Sequence, residues 1–333
     1  MYRHVFARFG APIGRRSRVV AKPDTMDRVA RWDRRRFLGA LGAVGLPAGT
    51  LPADAQARDP IKRPIPATGE ELPVIGVGSW ITFNVGAAAS ARAPLVPVMR
   101  SFFERGGAMI DSSPMYGTSE AVIGDLLAKM PQRQRLFAAT KVWTHGKAAG
   151  ERQMESSLRL WGVPKFDLIH IHNMLDWETH IETLQAWKAA GRVRYIGITT
   201  SHGRRHEDLE KALTRAPFDF VQFTYSLYDR QAEKRLLPLA AERRIAVVAN
   251  RPFDGGDLFD AVKGKPLPPW AREFECGNWA QYFLKYIVSH PAVTVAIPAT
   301  SKAGHMVENM GALYGTLPTP EMRRRMAQHF ESL

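Results

Sequence analysis

Eight short apolar runs, rich in β-branched residues and separated by segments of helical periodicity, dominate the chain after residue 60. They extend from Leu72 to Gly78, Ala108 to Ser113, Leu136 to Val142, Phe166 to His172, Val193 to Thr199, Phe218 to Thr224, Ile245 to Asn250 and Val293 to Pro298. Between them lie amphipathic stretches such as Glu178 to Ala190, with Ile181, Leu184 and Trp187 on one stripe, and Glu233 to Arg243. Strands alternating with helices in this way predict βα units around a parallel sheet. Eight strands in about 240 residues fit an α/β fold closed into a TIM-type (β/α)8 barrel better than an open doubly wound sheet. No Gly-x-Gly-x-x-Gly follows the first run, and no length remains for a second domain. A shorter pair, Ile61 to Ile65 and Leu72 to Val77 around Thr68-Gly69, is expected to form a hairpin or bridge at the bottom of the barrel.

Composition narrows the chemistry. The 333 residues are 45% hydrophobic and 23% charged, too apolar for a disordered chain. The single cysteine, Cys276, excludes an intramolecular disulfide, thiolate-rich zinc sites and iron–sulfur clusters. Nothing approaches the run of about 18 apolar residues that a membrane span needs. Of the net charge of +14, half sits in residues 1–57, which hold 11 Lys/Arg against 4 Asp/Glu. The remainder, spread over residues 58–333, is a weak argument for nucleic acid, and none is expected as a partner.

That basic leader reads as an address. Asp33-Arg34-Arg35-Arg36-Phe37-Leu38 precedes a small-residue apolar stretch to Leu46, then Pro47 and Ala55-Gln56-Ala57, which is signal-peptide order. Paired arginines directly before Phe-Leu and a mildly hydrophobic Gly/Ala-rich stretch resemble a twin-arginine export signal. Cleavage is expected after Ala57, with the twin-arginine translocase as partner and the periplasm as destination. Met26, just before the pair, is an alternative start. A basic tail or a short buried helix is the competing reading. No cysteine ends the segment, so a lipoprotein anchor is not expected. Residues 58–333 are then a single barrel.

In a parallel barrel the chemistry sits at the carboxyl ends of the strands. The second run ends Asp111-Ser112-Ser113-Pro114-Met115-Tyr116-Gly117, the third Thr140-Lys141-Val142-Trp143, and the fourth Asp167-Leu168-Ile169-His170-Ile171-His172-Asn173. Asp, Tyr, Lys and His gathered at one mouth suggest proton donation to a carbonyl. A tyrosine near pKa 10 is a poor acid at neutral pH, but an adjacent ammonium favours its phenolate and lowers that value. The carboxylate would hold the lysine charged.

Asp111-x4-Tyr116-Gly117, Thr140-Lys141, Asp167-Leu168-x3-His172 and Gly191-Arg192-Val193-Arg194-Tyr195-Ile196-Gly197 together resemble the aldo-keto reductases, over nearly all of residues 61–315. The resemblance implies a barrel that binds a nicotinamide cofactor, NADPH by default and NADH as the alternative, and passes hydride to a small aldehyde or ketone. It implies Tyr116 as general acid, Lys141 and Asp111 as the pair that tunes it, and His172 as the residue that orients the carbonyl. Ser79 and Trp80 after the first run and Gln222 match the family's nicotinamide contacts. After the fifth run Thr199-Thr200 keeps a hydroxyl and loses an amide. After the seventh, Asn250-Arg251-Pro252-Phe253 lacks the stacking aromatic ring, leaving Phe253 or Arg251 to touch the cofactor, with Arg251 suited to the pyrophosphate. Beyond the eighth, Ala299, Thr300 and His305 soften the clamp on the 2′-phosphate, Lys302 could add a charge from the next turn, and Glu308-Asn309 match the adenine contacts. The substrate pocket is expected to be lined by Trp80, Trp143, Asn173, Met174 and Phe253, with residues 254–275, including Trp270, as a lid. A final helix is expected from Glu321, with no long tail after it.

Two rival readings remain. His170-x-His172 has the spacing of a metal pair, the mark of a barrel metallohydrolase, but the later strand ends offer a poor ligand set and no metal is expected. A cofactor-binding barrel with vestigial chemistry, serving as an exported sensor, is the other.

Overall fold

The computed structural model describes residues 59–333. The leader, with Arg34, Arg35, Met26 and the expected cleavage after Ala57, lies outside the described residues. The chain first forms β1 (Lys62–Pro64) and β2 (Glu71–Pro73), an antiparallel pair with Arg63 opposite Leu72. Its turn closes where the Ile65 carbonyl accepts from Thr68 and Gly69, and Gly69 takes the left-handed φ of 79° that an L side chain resists. Eight parallel strands follow: β3 (Val77–Gly78), β4 (Met109–Asp111), β5 (Phe137–Val142), β6 (Phe166–Ile171), β7 (Val193–Thr199), β8 (Phe220–Thr224), β9 (Ala246–Asn250) and β10 (Val295–Ala296). They hydrogen-bond in sequence order, and bridges from Ile75 to Ala296 and from Gly78 to Ala299 join the last strand to the first, closing the barrel.

The expected first strand, Leu72 to Gly78, is divided. Pro73 has no N–H to continue a ladder, so its front end pairs in the hairpin and only Val77–Gly78 joins the barrel. The eighth shrinks to Val295–Ala296. Helices cover the outside, among them Trp177–Ala189 and, at the end, Pro320–Glu331. Glu233 to Arg243 splits into a short turn at Gln231–Glu233 and a helix, Leu236–Glu242. Among the described residues, no helix is long and apolar enough to cross a membrane.

The period-two alternation of the strands sorts the residues. Outward positions such as Ile110, Ala138, Ile169, Ile196, Val221 and Val247 join the helices in one apolar cluster. Inward positions near the amino ends, Met109, Phe137, Leu168, Tyr195, Phe220 and Ala246, fill the barrel floor together with Ile65 and Leu72 of the hairpin. The Tyr195 hydroxyl reaches Thr68 and Glu70 of that hairpin at 2.8 and 2.7 Å, so the pair plugs the bottom. Further along the same inward rows the residues turn polar, which is where the site lies.

Candidate active site

Following each inward row toward its carboxyl end gives Asp111 after Met109, Lys141 after Phe137 and Ala139, His170 and His172 after Leu168, Thr199 after Tyr195 and Gly197, and Gln222 after Phe220. The register places Lys141 beside His170 and Thr199 beside Gln222. Lys141 Nζ donates to Asp111 Oδ2 at 2.5 Å and to the Ser112 carbonyl at 2.8 Å. The other carboxylate oxygen of Asp111 accepts from Gln222 Nε2 at 3.1 Å. Tyr116, on a single turn capped by Ser113, brings its ring within 5.1 Å of Lys141 Nζ and edge-on to His172 at 5.6 Å.

Burial alone would drive Lys141 toward neutrality, but Asp111 and Tyr116 outweigh it and hold the ammonium charged, its pKa above the ordinary lysine value. Burial raises the Asp111 carboxyl, with Lys141 and Gln222 pulling it back down. For Tyr116 the sequence-based expectation of a lowered pKa is not met. Burial pushes the phenol above 10 and Asp111 adds to the rise; the downward pull of Lys141 is the smaller effect. Tyr116 is therefore a fully protonated donor in this structure.

His172 is buried, and burial together with the Lys141 charge lowers its pKa to about 2, so the imidazole is neutral. Its Nδ1 lies 2.8 Å from Ser113 Oγ, which already accepts from the Met115 amide at 3.2 Å. With the serine proton directed at Nδ1, the imidazole proton would sit on Nε2, where it can serve as a hydrogen-bond donor. His170 sits deeper, against Phe220, with neither ring nitrogen bonded and 4.0 Å from Asp111 Oδ1. Gly197 makes room for it, since a Cβ there would stand 2.4 Å from His170 Cδ2. His170 is thus a core residue. Among the described residues, no group of three or more His, Cys, Asp or Glu is placed to hold a metal ion.

A cavity of about 400 Å3 opens over this set. Asp111, Tyr116 and His172 line it, as do Ser79, Trp80, Asn173, Thr199, Thr200, Gln222, Asn250, Arg251 and Phe253. Lys141 is sealed behind them. Several expected contacts fall elsewhere. Met174 is buried in the outer core, because the turn after His172 puts Asn173 and Met174 in left-handed backbone and rotates that side chain inward. Trp143 is exposed on its own loop, where its main chain exchanges hydrogen bonds with Gln153, and it does not line the cavity. Thr300, His305, Glu308 and Asn309 also lie outside the cavity. Thr300 is buried and its hydroxyl accepts from the Lys302 amide, Asn309 is buried on the inner face of helix Ala303–Met310, and Lys302, His305 and Glu308 are exposed. The 254–275 connection is divided: Gly255, Gly256 and Phe259 line the cavity, whereas Trp270 packs under Arg325 against Phe274 and Tyr282.

The nicotinamide contacts named from the sequence fit such a group in part. Gln222 Oε1 has only a long 3.5 Å contact with Asn250, so it is free to accept. Arg251 has a buried Nε without a partner beside Gly255. Asn250 is bound into the wall by Thr224 and by the Thr200 carbonyl, and the aromatic surface comes instead from Phe253, its ring tilted against Phe259 at 4.8 Å. Sequence reasoning missed Ser113, His202 and Arg204. The last two stand just past Thr199-Thr200, so the strand-end rule extended by four residues would have found them.

A closed parallel barrel with these side chains at its mouth defines a reductase-type site, and the chain belongs to the Aldo/keto reductase family, whose model matches residues 74–327. It is an oxidoreductase of that class. Methylglyoxal reductase YeaE of Escherichia coli (strain K12) is 26% identical over 258 residues, covering 75% of this chain and 89% of that protein. An NADH-specific methylglyoxal reductase of the same organism is 25% identical over 261 residues, covering 68% and 77%. Among solved structures, an aldo/keto reductase from Klebsiella pneumoniae in complex with NADP and acetate superposes with a TM-score of 0.64 at 25% identity, covering 79% of this chain and 93% of that one.

Proposed function

We propose that this chain is a carbonyl reductase that uses NADPH, with NADH as the alternative, and that Tyr116 is its general acid. The observation that supports it best is the shared cavity: a protonated Tyr116 and a neutral His172 face the same space, with a charged Lys141 buried behind. Ser79, Thr199 and Gln222 would hold the nicotinamide, and Arg251 with Gly255 and Gly256 the phosphates. Held there, the reduced cofactor would supply hydride to the carbonyl carbon. The carbonyl oxygen accepts hydrogen bonds from the Tyr116 hydroxyl and His172 Nε2–H, which polarise it. As negative charge grows on that oxygen, the Tyr116 proton moves to it, and the Lys141 ammonium stabilises the phenolate left behind. Asp111 keeps the ammonium in place. The methylglyoxal reductases among its relatives make small, compact carbonyls the first substrates to try.

Tyr116→Phe is expected to lower the rate of hydride transfer by about 10^2- to 10^4-fold while leaving the NADPH dissociation constant unchanged. Equal rates in the variant and the wild type would remove Tyr116 as the acid. The lost aromatic ring at Asn250 favours a second reading, a nicotinamide-binding sensor with slow chemistry. Tight binding without turnover of any aldehyde would select it.

We further propose that the leader exports the folded barrel through the twin-arginine translocase to the periplasm, on the strength of the Arg34-Arg35 pair and the apolar stretch after it. Replacing both arginines by lysine should retain the protein in the cytoplasm, and unchanged export would count against that route.

A further inference from the structure

The cavity carries a cationic edge that neither the fold nor the proton-donating set requires. The loop after β7 brings His202 and Arg204 to the cavity wall, and the loop after β9 brings Arg251. Arg251 Nη1 donates to His202 Nε2 at 2.9 Å, so that nitrogen is the acceptor and the imidazole proton sits on Nδ1, 2.8 Å from Ser201 Oγ. The ring is neutral: burial and the two guanidinium charges lower its pKa, and only Asp254 opposes them. Asp254 is already taken by Arg251 Nη2 at 3.1 Å.

Arg204 lies on the other side of the imidazole. Its Nη2 is 3.3 Å from the protonated Nδ1 of His202, which offers it nothing to donate to, and it has no carboxylate partner among the described residues. Arg251 commits both terminal nitrogens, to His202 and Asp254, and keeps only its buried Nε unpaired, whereas the exposed Arg204 guanidinium, next to the Gly203 that the Asp229 carboxylate approaches, pairs with no carboxylate among the described residues. His202 and Arg251 both hold left-handed backbone, with φ of 60° and 49°, a conformation that strains a non-glycine residue. The position of Arg204 separates it from the cofactor's phosphates. Arg251 faces Gly255, whereas the Arg204 loop is tied to the turn after His172, through Arg205 Nη1 to the Asn173 carbonyl at 3.2 Å. The Trp80 ring stands edge-on to His202 at 6.4 Å and lines the same cavity as Arg204.

We propose that Arg204 recognises a carboxylate carried by the carbonyl substrate, with Trp80 as the neighbouring apolar wall, so that the substrates of this site are oxo-acids rather than neutral aldehydes. The inference rests on the reductase reading. A planar carboxylate matches the guanidinium fork, and each such charge-assisted bond contributes on the order of 10- to 100-fold in binding.

The test compares 4-carboxybenzaldehyde with its methyl ester, which caps the anion with a methyl group and makes the aldehyde if anything more electrophilic, using the full chain and saturating NADPH. The wild type is expected to prefer the acid by about tenfold or more in kcat/KM. Arg204→Gln should lower kcat/KM for the acid by about 10- to 100-fold, chiefly through KM, leave the ester within about threefold and leave NADPH affinity unchanged; Arg204→Lys should recover part of the loss. Equal use of acid and ester by the wild type, or equal slowing of both in Arg204→Gln, would overturn the proposal. A matching loss of NADPH affinity would overturn it too, by assigning Arg204 to the cofactor's phosphates. Benzoate quenching of tryptophan fluorescence gives a readout without turnover. Should neither aldehyde be reduced, the reductase reading falls, and saturable quenching that Arg204→Gln abolishes still upholds the anion site. No saturable quenching overturns it.

Discussion

Replacing Lys141 by Met removes one half of a buried ion pair and keeps the other. The ammonium is fully buried, and its loss leaves Asp111, itself 2% exposed, with one remaining donor, Gln222 Nε2 at 3.1 Å. Breaking a buried pair in this way costs about 3–5 kcal/mol, a large part of the ~5–15 kcal/mol that holds a typical protein folded. At about 2–4 °C per kcal/mol for a domain of this size, Tm should fall by roughly 6–20 °C. The loss should depend on pH in a fixed direction. Without its counter-charge the Asp111 carboxyl has a folded pKa raised still further above its unfolded value, so the native state binds the extra proton. The variant then recovers stability as pH falls and loses it as pH rises through that folded pKa. A double variant, Asp111→Leu with Lys141→Met, removes both polar groups and should cost less than the two single losses added together, with a coupling of about 2 kcal/mol or more. Urea unfolding of the full chain at pH 5 and pH 8, for both single variants and the double, measures all of this. Single costs that add to the double within about 0.5 kcal/mol would refute the pair as the organising contact of the site.

Three further outcomes follow from the neighbourhood of that pair. His170→Leu removes an imidazole whose two nitrogens are buried without partners and should raise stability at neutral pH by up to about 1–3 kcal/mol; a loss in urea unfolding would mean that the ring has a partner such as a buried water. Because His172 titrates at about 2 in the folded chain and near 6.5 unfolded, its contribution is complete above pH 6.5. It is lost as pH falls, by up to about 1.4 kcal/mol per pH unit, and His170, also lowered, adds to the slope. Chemical unfolding at pH 7, 6 and 5 should show this decline, less steep in His170→Leu, and a flat profile would contradict a neutral buried pair. Gly197→Ala drives a methyl against His170 and against the Phe220 carbonyl at 2.8 Å and should cost about 1–3 kcal/mol; a wild-type Tm would show that the strand can shift.

The barrel was legible because its signal is local and repeated. An inward row such as Phe137, Ala139, Lys141 or Phe220, Gln222, Thr224 shows in its own alternation which face is buried, and the switch from apolar to polar along the row marks the mouth. Strand number, chain order and the rule that chemistry sits at carboxyl ends then bring Asp111, Tyr116, Lys141 and His172 together before any coordinate is known. The lining of the pocket was not legible in the same way. Met174 and Trp143 follow strand ends just as Asn173 does, yet two left-handed residues turn Met174 into the core, and a hydrogen-bonded loop carries Trp143 to the surface.

Charge state also belongs to the tertiary structure. An adjacent lysine predicts a lowered Tyr116 pKa, but only the folded chain weighs that pull against burial, and burial wins. The hydroxyl that His172 Nδ1 meets is that of Ser113, 59 residues away in the chain, and Arg204 keeps its donors because Asp254 reaches Arg251 instead. Periodicity fixes which side chains face inward, because backbone geometry along a strand is local. Desolvation and the pairing of donors with acceptors act between residues that meet only when the barrel closes, and these decide what the inward side chains can do.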